Sequence, residues 1–485
     1  MSNLQTGKMT NHRWTIVVML FMATTVNYLD RQVLSLTWAD FIAPEFHWTN
    51  SDYGTITGLF SIFYAVSMLF AGKFIDWLDT KKGFLWAIGV WSLGAIMHAF
   101  CGLLTAGITA GEWTMSFHGA REAISTVGDV SLVVSVSVTL FVFARLVLAL
   151  GEAGNFPAAI KATAEYFPKK DRAYATSIFN SGAQIGALLA PLTIPFIAKA
   201  WGWEMAFIVI GALGFIWMGF WIFVYHKPEQ SKKVNALELE YINQDDATDA
   251  LEGRVKADGN AGKKVSFKKA FKYKQTWSFA VGKFLTDGVW WFLLFWIPAY
   301  LSSVYGLDST ESAPHVFVVY AISMISVFAA GYFPAYYMEK KKMDPYQGRM
   351  RAMLLFAFFP LLILFAQPLG GVSVWLPVII IGIAAAAHQS WSANIFTTVS
   401  DMFPKHAVGT ITGIGGMAGG VGSFFINKSS GVLFDHAANT NMKFMGYEGI
   451  ESGYFIIFIF CAIAYLLGWT IMKSLVPKYQ LITDM

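Results

Sequence analysis

The chain has 485 residues, 55% of them hydrophobic and 14% charged, with 42 Phe and 18 Trp; these proportions exclude an ordinary soluble domain. The formal net charge is only +4, so the placement of Lys and Arg informs more than their excess. Cys101 and Cys461 both sit in apolar runs, which excludes a disulfide framework and a CxxC metal site.

Apolar stretches of about 20 residues, enough to cross a bilayer as helix, fall near 14–36, 54–74, 84–104, 132–154, 174–198 and 204–225. Six more fall near 277–301, 314–338, 351–367, 374–397, 409–432 and 452–474. The pattern predicts an all-α polytopic membrane protein with twelve transmembrane helices. A polar stretch, 226–276, separates the sixth span from the seventh and reads as a cytoplasmic linker between two six-helix bundles, 1–225 and 277–485. Within it, Val234 to Leu251 is expected to form a surface helix resting on the membrane, with no chemistry assigned to it. With the N-terminus inside, 28 Lys and Arg fall on the inner side and 4 on the outer, which predicts a cytoplasmic location for both termini.

The first span carries Asn27, Tyr28, Asp30 and Arg31 in an apolar setting. Neighbouring residues on a helix point about 100° apart, so Asp30 and Arg31 face different partners. Tyr64 lies in the second span. The segment that follows runs from Gly72 through Asp76 to Lys81 and Lys82; Asp76 reads as a gate, although a plain basic loop differs from it only by that carboxylate. An excursion from 105 to 131 carries Glu112, His118, Arg121, Glu122 and Asp129. His118 and Glu122 stand at metal-ligand spacing, but two ligands do not make a site; no metal or cofactor is expected.

The fourth span holds Arg145 and Glu152, seven residues apart, hence on one face and roughly 10 Å apart along the axis. A charge at the bilayer centre costs about 2.5–3.5 kcal/mol on insertion scales, so each needs a partner, a cavity or a cargo. Arg keeps its proton and offers a planar fork to a carboxylate; Asp30 and Glu152 can take up and release protons. The fifth span adds Asn180 and Gln184. The seventh holds Lys283 and Asp287, a possible local pair, then Trp290, Trp291 and Trp296, whose indoles suit a sugar ring or plain packing. The tenth offers His388, Gln389, Ser390, Trp391 and Asn394; Gln389 and Asn394 suit hydroxyl recognition or helix–helix bonds. Finally, Phe167-Pro168-Lys169-Lys170 before the fifth span recurs as Phe403-Pro404-Lys405-His406 before the eleventh. That echo predicts a duplicated architecture with the site at the seam between halves.

The stretch GEAGNFPAAIKATAEYFPKKDRA (151–173) resembles the anion:cation symporter branch of the major facilitator superfamily. Two others, KFLTDGVWWFLLFWIPAYL (283–301) and AAHQSWSANIFTTVSDMFPKHAVGTITGIGGMAGGVG (386–422), are similar to its bacterial hexuronate transporters. Gly72, Asp76, Lys81 and Lys82 are a loosened form of the superfamily signature, lacking its usual Arg, and the excursion 105–131 is foreign to the family. The resemblance implies proton-coupled uptake of a sugar acid such as glucuronate or galacturonate across the bacterial inner membrane, by a carrier acting as a monomer without nucleic acid. It implies that Arg145 holds the substrate carboxylate, that Asp30 and Glu152 are the protonatable pair, that Arg31 couples to Asp30, and that Tyr28 and Tyr64 line the cavity. Another organic anion, such as an aldonate, tartrate or sialic acid, fits the same arginine. A sensor on a carrier scaffold predicts an appended signalling domain, which the tail from Lys473 does not supply. An enzyme is disfavoured because no catalytic constellation gathers at one membrane face. No GxxxxGK[ST] loop occurs to support ATP-driven transport.

Overall fold

A computed structural model describes residues 8–244 and 266–482. Twelve helices carry the architecture. They are α1 (His12–Thr37), α2 (Asn50–Leu78), α3 (Thr80–Thr109), α4 (Val130–Tyr166), α5 (Lys169–Trp201) and α6 (Trp203–Val224). After the linker come α7 (Lys274–Tyr305), α8 (Ser309–Glu339), α9 (Pro345–Gly370), α10 (Trp375–Met402), α11 (Lys405–Thr440) and α12 (Ile450–Leu475). All but α1 are long and apolar enough to cross a membrane. α1 has the length, at 26 residues, but its apolar run is interrupted by Asn27, Asp30, Arg31 and Gln32, all buried against neighbouring helices.

The Phe-Pro echo is structural. Pro168 opens α5 at φ −64°, ψ 157°, and Pro404 opens α11 at φ −65°, ψ 148°. The ring fixes φ and removes the N–H that a preceding helix would need, so α4 and α10 stop at the preceding Phe and a new helix starts. α1 packs on α5 and α3 on α4 and α6; α7 packs on α11 and α12. Between the two groups, α2 lies along α11 and α5 along α8.

The polar linker does more than rest on a surface. Its short helix Ala236–Ile242 is briefer than the expected 234–251, whose remainder from 245 lies outside the described residues. Glu238 accepts hydrogen bonds from the backbone N–H of His12 (3.1 Å) and Arg13 (3.0 Å) and from the Arg13 guanidinium (3.1 Å). It thereby satisfies donors that the first turn of α1 leaves open.

Contacts between the two groups gather on the face opposite the termini. Asp435 of α11 accepts from the N–H groups of Asn50 (3.0 Å) and Ser51 (2.7 Å), capping α2 from across the seam. Lys428 reaches the Thr55 hydroxyl at 2.6 Å, Lys199 pairs with Asp308 at 3.2 Å, and Asp40 accepts from the Ser309 N–H at 2.5 Å. Hydrogen bonds from the Thr310 side chain and the Glu311 N–H hold the Asp308 carboxyl down to about 2, so the Lys199 contact keeps its charge. These links shut that face.

The same face carries the excursion, which is shorter than expected because α3 runs to Thr109 and α4 starts at Val130; it contains one helix, Phe117–Ser125. Arg121 of that helix bridges Glu45 (3.1 Å) and Glu204 (2.5 Å), while Trp203 donates to Glu45 at 2.8 Å. His118 and Glu122 meet at 3.3 Å on the exposed side, and among the described residues no group of three potential ligands forms. Burial pushes the Glu45 carboxyl up to about 7, against the opposing pull of Trp203 and Arg121.

Because that value lies above the ordinary 4.5, the docked cluster binds protons more tightly than an undocked one. Acidification from about pH 7 towards 4.5 therefore favours docking, and the gain is lost as pH rises back through 7. Amide exchange over 117–125, corrected for its intrinsic pH dependence, should be slower at pH 5.5 than at pH 8. Glu45→Gln should flatten that difference.

Candidate functional site

The charges flagged inside the apolar runs converge where α1, α2, α4 and α7 meet. The spacing on α4 places Arg145 and Glu152 on one face, and both are essentially inaccessible, at 1% and 0% exposure. Gly151 makes this possible. A Cβ there would collide with the backbone of Trp91 and come within 2.6 Å of the Ala87 carbonyl oxygen. Only glycine lets α4 press onto α3 at this level and turn Glu152 towards α1.

Glu152 receives Arg31. The Arg31 Nε and Nη2 both donate to Glu152 Oε2, at 3.0 Å and 2.6 Å. The expected coupling of Arg31 to Asp30 is therefore not a direct contact. The two side chains leave α1 in different directions, and both Asp30 oxygens lack a hydrogen-bond partner among the described residues. Aromatic rings surround the Arg31 guanidinium: Tyr64 at 4.7 Å, Tyr28 at 4.9 Å, Trp291 at 5.2 Å and Phe60 at 5.9 Å. Such faces favour a desolvated cation. Tyr28 and Tyr64 are themselves half-buried.

Arg145 also stands over Phe60, 5.1 Å from the centre of that ring. Among the described residues, none of its three guanidinium nitrogens has a hydrogen-bond partner, nor do Asp30, Asn27 or Glu152 Oε1. Asp30 and Glu152 lie near enough to act on it through space, but neither is hydrogen-bonded to it, and a buried cation without a hydrogen-bonded counter-charge is costly; truncation experiments on buried pairs put the penalty at about 3–5 kcal/mol. A ligand carboxylate reaching Arg145 would relieve it.

The remaining expected residues divide. Trp291 belongs to the cluster. Trp290 stacks instead on His388, 5.2 Å away with planes 6° apart, and His388 bonds the Tyr465 hydroxyl at 2.8 Å. Asn394 spends its amide donors on the Ala330 and Ser390 carbonyls, at 3.0 Å and 2.9 Å, tying α10 to α8 and leaving only its oxygen for a cargo. Gln184 is partly buried at the seam, 3.5 Å from the Ser323 hydroxyl; Asn180, one turn away, is exposed, and Gln389 is half-buried. Asp76 is mostly exposed and pairs with Lys161 at 3.0 Å, a link from α2 to α4 within one bundle. Sequence reasoning passed over Phe60, whose ring lies 5.9 Å and 5.1 Å from the two guanidiniums and which has no feature to distinguish it from a core Phe. It also passed over Gln32, which accepts from the Tyr320 hydroxyl at 3.2 Å across the seam; a polar residue beside Asp30 and Arg31 was a usable signal.

The major facilitator superfamily model matches residues 20–426. The chain therefore belongs to that superfamily, a family of membrane transporters, and is a multi-pass transporter rather than an enzyme. It is 26% identical over 467 residues to the hexuronate transporter of Escherichia coli (strain K12), covering 95% of this chain and 94% of that protein. It is 25% identical over 455 residues to a protein of the same organism named "Probable galactarate/D-glucarate transporter GarP", covering 92% and 94%. Its fold matches a bacterial homologue of the human lysosomal transporter Spinster, solved inward-facing and unoccupied, with a TM-score of 0.68 at 18% identity and coverage of 98% and 99%.

Overpacking costs about 1–3 kcal/mol, so Gly151→Ala should lower the unfolding temperature and the yield of folded protein in detergent. The same change at Gly409, where an added Cβ has open space around it, should have little effect on either.

Proposed function

We propose that the chain is a proton-coupled symporter that imports a sugar acid, a hexuronate, by alternating access. The observation that carries this reading is the charge arrangement. Arg31 is committed to Glu152, whereas Arg145 is buried with no hydrogen-bond partner among the described residues. Its fork suits one carboxylate held through two parallel hydrogen bonds. Tyr28, Tyr64 and Trp291 offer ring faces and hydroxyls to the sugar, and Gln184, Gln389 and the free Asn394 oxygen face it from the seam. Asn180 and Trp290 stand behind these as more distant wall.

Coupling follows from the two acids. Protonating Glu152 removes the counter-charge that holds Arg31, and protonating Asp30 removes an unpaired charge from the site. Each event changes what the helices must bury, which biases one arrangement of the bundles over the other. A monoanionic cargo entering with one proton moves no net charge; two protons carry one positive charge inward. The Lys and Arg bias supports a bacterial inner membrane orientation with both termini cytoplasmic and the shut, Arg121-bearing face outward. Asp76 then lies at the cytoplasmic end, where breaking its Lys161 contact would accompany closure on that side. The transport unit in this reading is a monomer.

Truncating one partner of a buried hydrogen-bonded charge pair costs about 2–5 kcal/mol. Arg145→Ala should therefore weaken hexuronate binding to the purified protein about 30-fold or more, with an unchanged elution profile in detergent; wild-type affinity would refute its role. Arg145→Lys keeps the charge but loses the fork, and should recover only part of the affinity. In proteoliposomes, Glu152→Gln should lose accumulation driven by a pH gradient while keeping exchange of labelled for unlabelled hexuronate. Equal survival of both processes would remove Glu152 from coupling.

A further inference from the structure

The names of the relatives leave open which acids this chain accepts, because one is named for hexuronates, with a single carboxylate, and another for galactarate and glucarate, with two. A second charged pair bears on that choice. Lys283, Asp287 and Trp291 stand at i, i+4 and i+8 on α7, so they share one face. Trp291 of that face lies against the Arg31 guanidinium, and Asp287 follows one turn nearer the start of the helix, about 6 Å along the axis. Lys283 Nζ and Asp287 Oδ2 are 2.7 Å apart, with 5% and 15% of the side chains exposed. The Lys283 ammonium also lies 4.1 Å from the centre of the Phe396 ring. α11 leaves a niche for the carboxylate: a Cβ at Gly419 would sit 3.0 Å from Asp287 Cγ and overlap Oδ2.

We propose that Asp287 decides which sugar acids the site takes: by holding Lys283 it leaves Arg145, among the described residues, as the buried cation with no hydrogen-bonded partner and so open to a cargo carboxylate, so monocarboxylates are accepted and dicarboxylates refused. This rests on the sugar-acid reading above. With one end of a dicarboxylate on Arg145, the other end finds no uncommitted cation along the α7 face and meets the Asp287 carboxylate instead. Like charges brought together in a site of low polarity reject the wrong ligand. A hexuronate presents hydroxyls and a neutral ring carbon at that end, which the carboxylate can accept hydrogen bonds from.

The test is competition in proteoliposomes, measuring uptake of labelled galacturonate against unlabelled galacturonate and unlabelled galactarate, and reading the ratio of the two half-inhibitory concentrations. Wild type should require about tenfold more galactarate than galacturonate, or more. Asp287→Asn frees Lys283 and should lower that ratio about tenfold. Gly419→Ala removes no charge but forces the carboxylate off Lys283, so it should shift the ratio in the same direction. In Asp287→Asn combined with Lys283→Met, the freed cation is gone but so is the repelling carboxylate, so the ratio should rise above that of Asp287→Asn alone without reaching the wild-type value. A role confined to folding moves yield and not the ratio. Wild-type uptake of galacturonate with an unchanged ratio in both single variants overturns the proposal while the carrier reading stands, as does a wild-type ratio near one. Absence of any sugar-acid binding by wild type overturns the carrier reading itself, and the proposal with it.

Discussion

Burying ionised side chains between helices that cross a bilayer is the constraint on which the rest of this structure depends. Each such charge is expensive unless it is paired, and the protein answers this separately for each cation. Arg31 has Glu152 and a cage of aromatic rings; Lys283 has Asp287, in a niche kept open by Gly419. Arg145 lies near Asp30 and Glu152 but, among the described residues, is hydrogen-bonded to no carboxylate and has only the face of Phe60. A fold that spends packing precision on satisfying two cations and leaves a third bare has stored a preference for an anion at that point.

The scaffold serves this arrangement at several levels. Pro168 and Pro404 end one helix and begin the next at matching places in the two halves, which sets α5 and α11 against α1 and α7. Glycine at 151 lets α4 approach α3 closely enough to aim Glu152 at Arg31. Far from the charges, Asp435, Lys428, Lys199 and Asp40 join the halves on the face opposite the termini. The links of Asp435 and Asp40 use backbone N–H groups at the starts of α2 and α8, which are free by the nature of a helix end, so losing them would leave the hydrogen bonds within either helix intact.

Much of this was legible in the sequence. Ionisable residues interrupting apolar runs pointed to Asp30, Arg31, Arg145 and Glu152 before any coordinates, and the Phe-Pro repeat marked the duplication. The pairing was not legible, because it depends on how α1 is rotated relative to α4 and joins residues 121 positions apart. Phe60 left no trace, since nothing in the sequence separates a ring beside two guanidiniums from one that fills a core. Asn394 and Trp290 read by residue type as suited either to cargo or to packing; helix packing takes most of the first and His388 takes the face of the second. The excursion and the linker were read as passive; Arg121 and Glu238 anchor them to helix ends, through partners far away in the chain. Local pattern shows which residues carry chemistry, whereas long-range packing decides whom they meet.

The most direct trial of the central claim is a cryo-electron microscopy structure of the carrier with a hexuronate bound, at a resolution that places the carboxylate. The account expects both carboxylate oxygens within hydrogen-bond distance of the Arg145 guanidinium, with Lys283 still on Asp287. A carboxylate seated elsewhere, with Arg145 as bare as in the free protein, would contradict it.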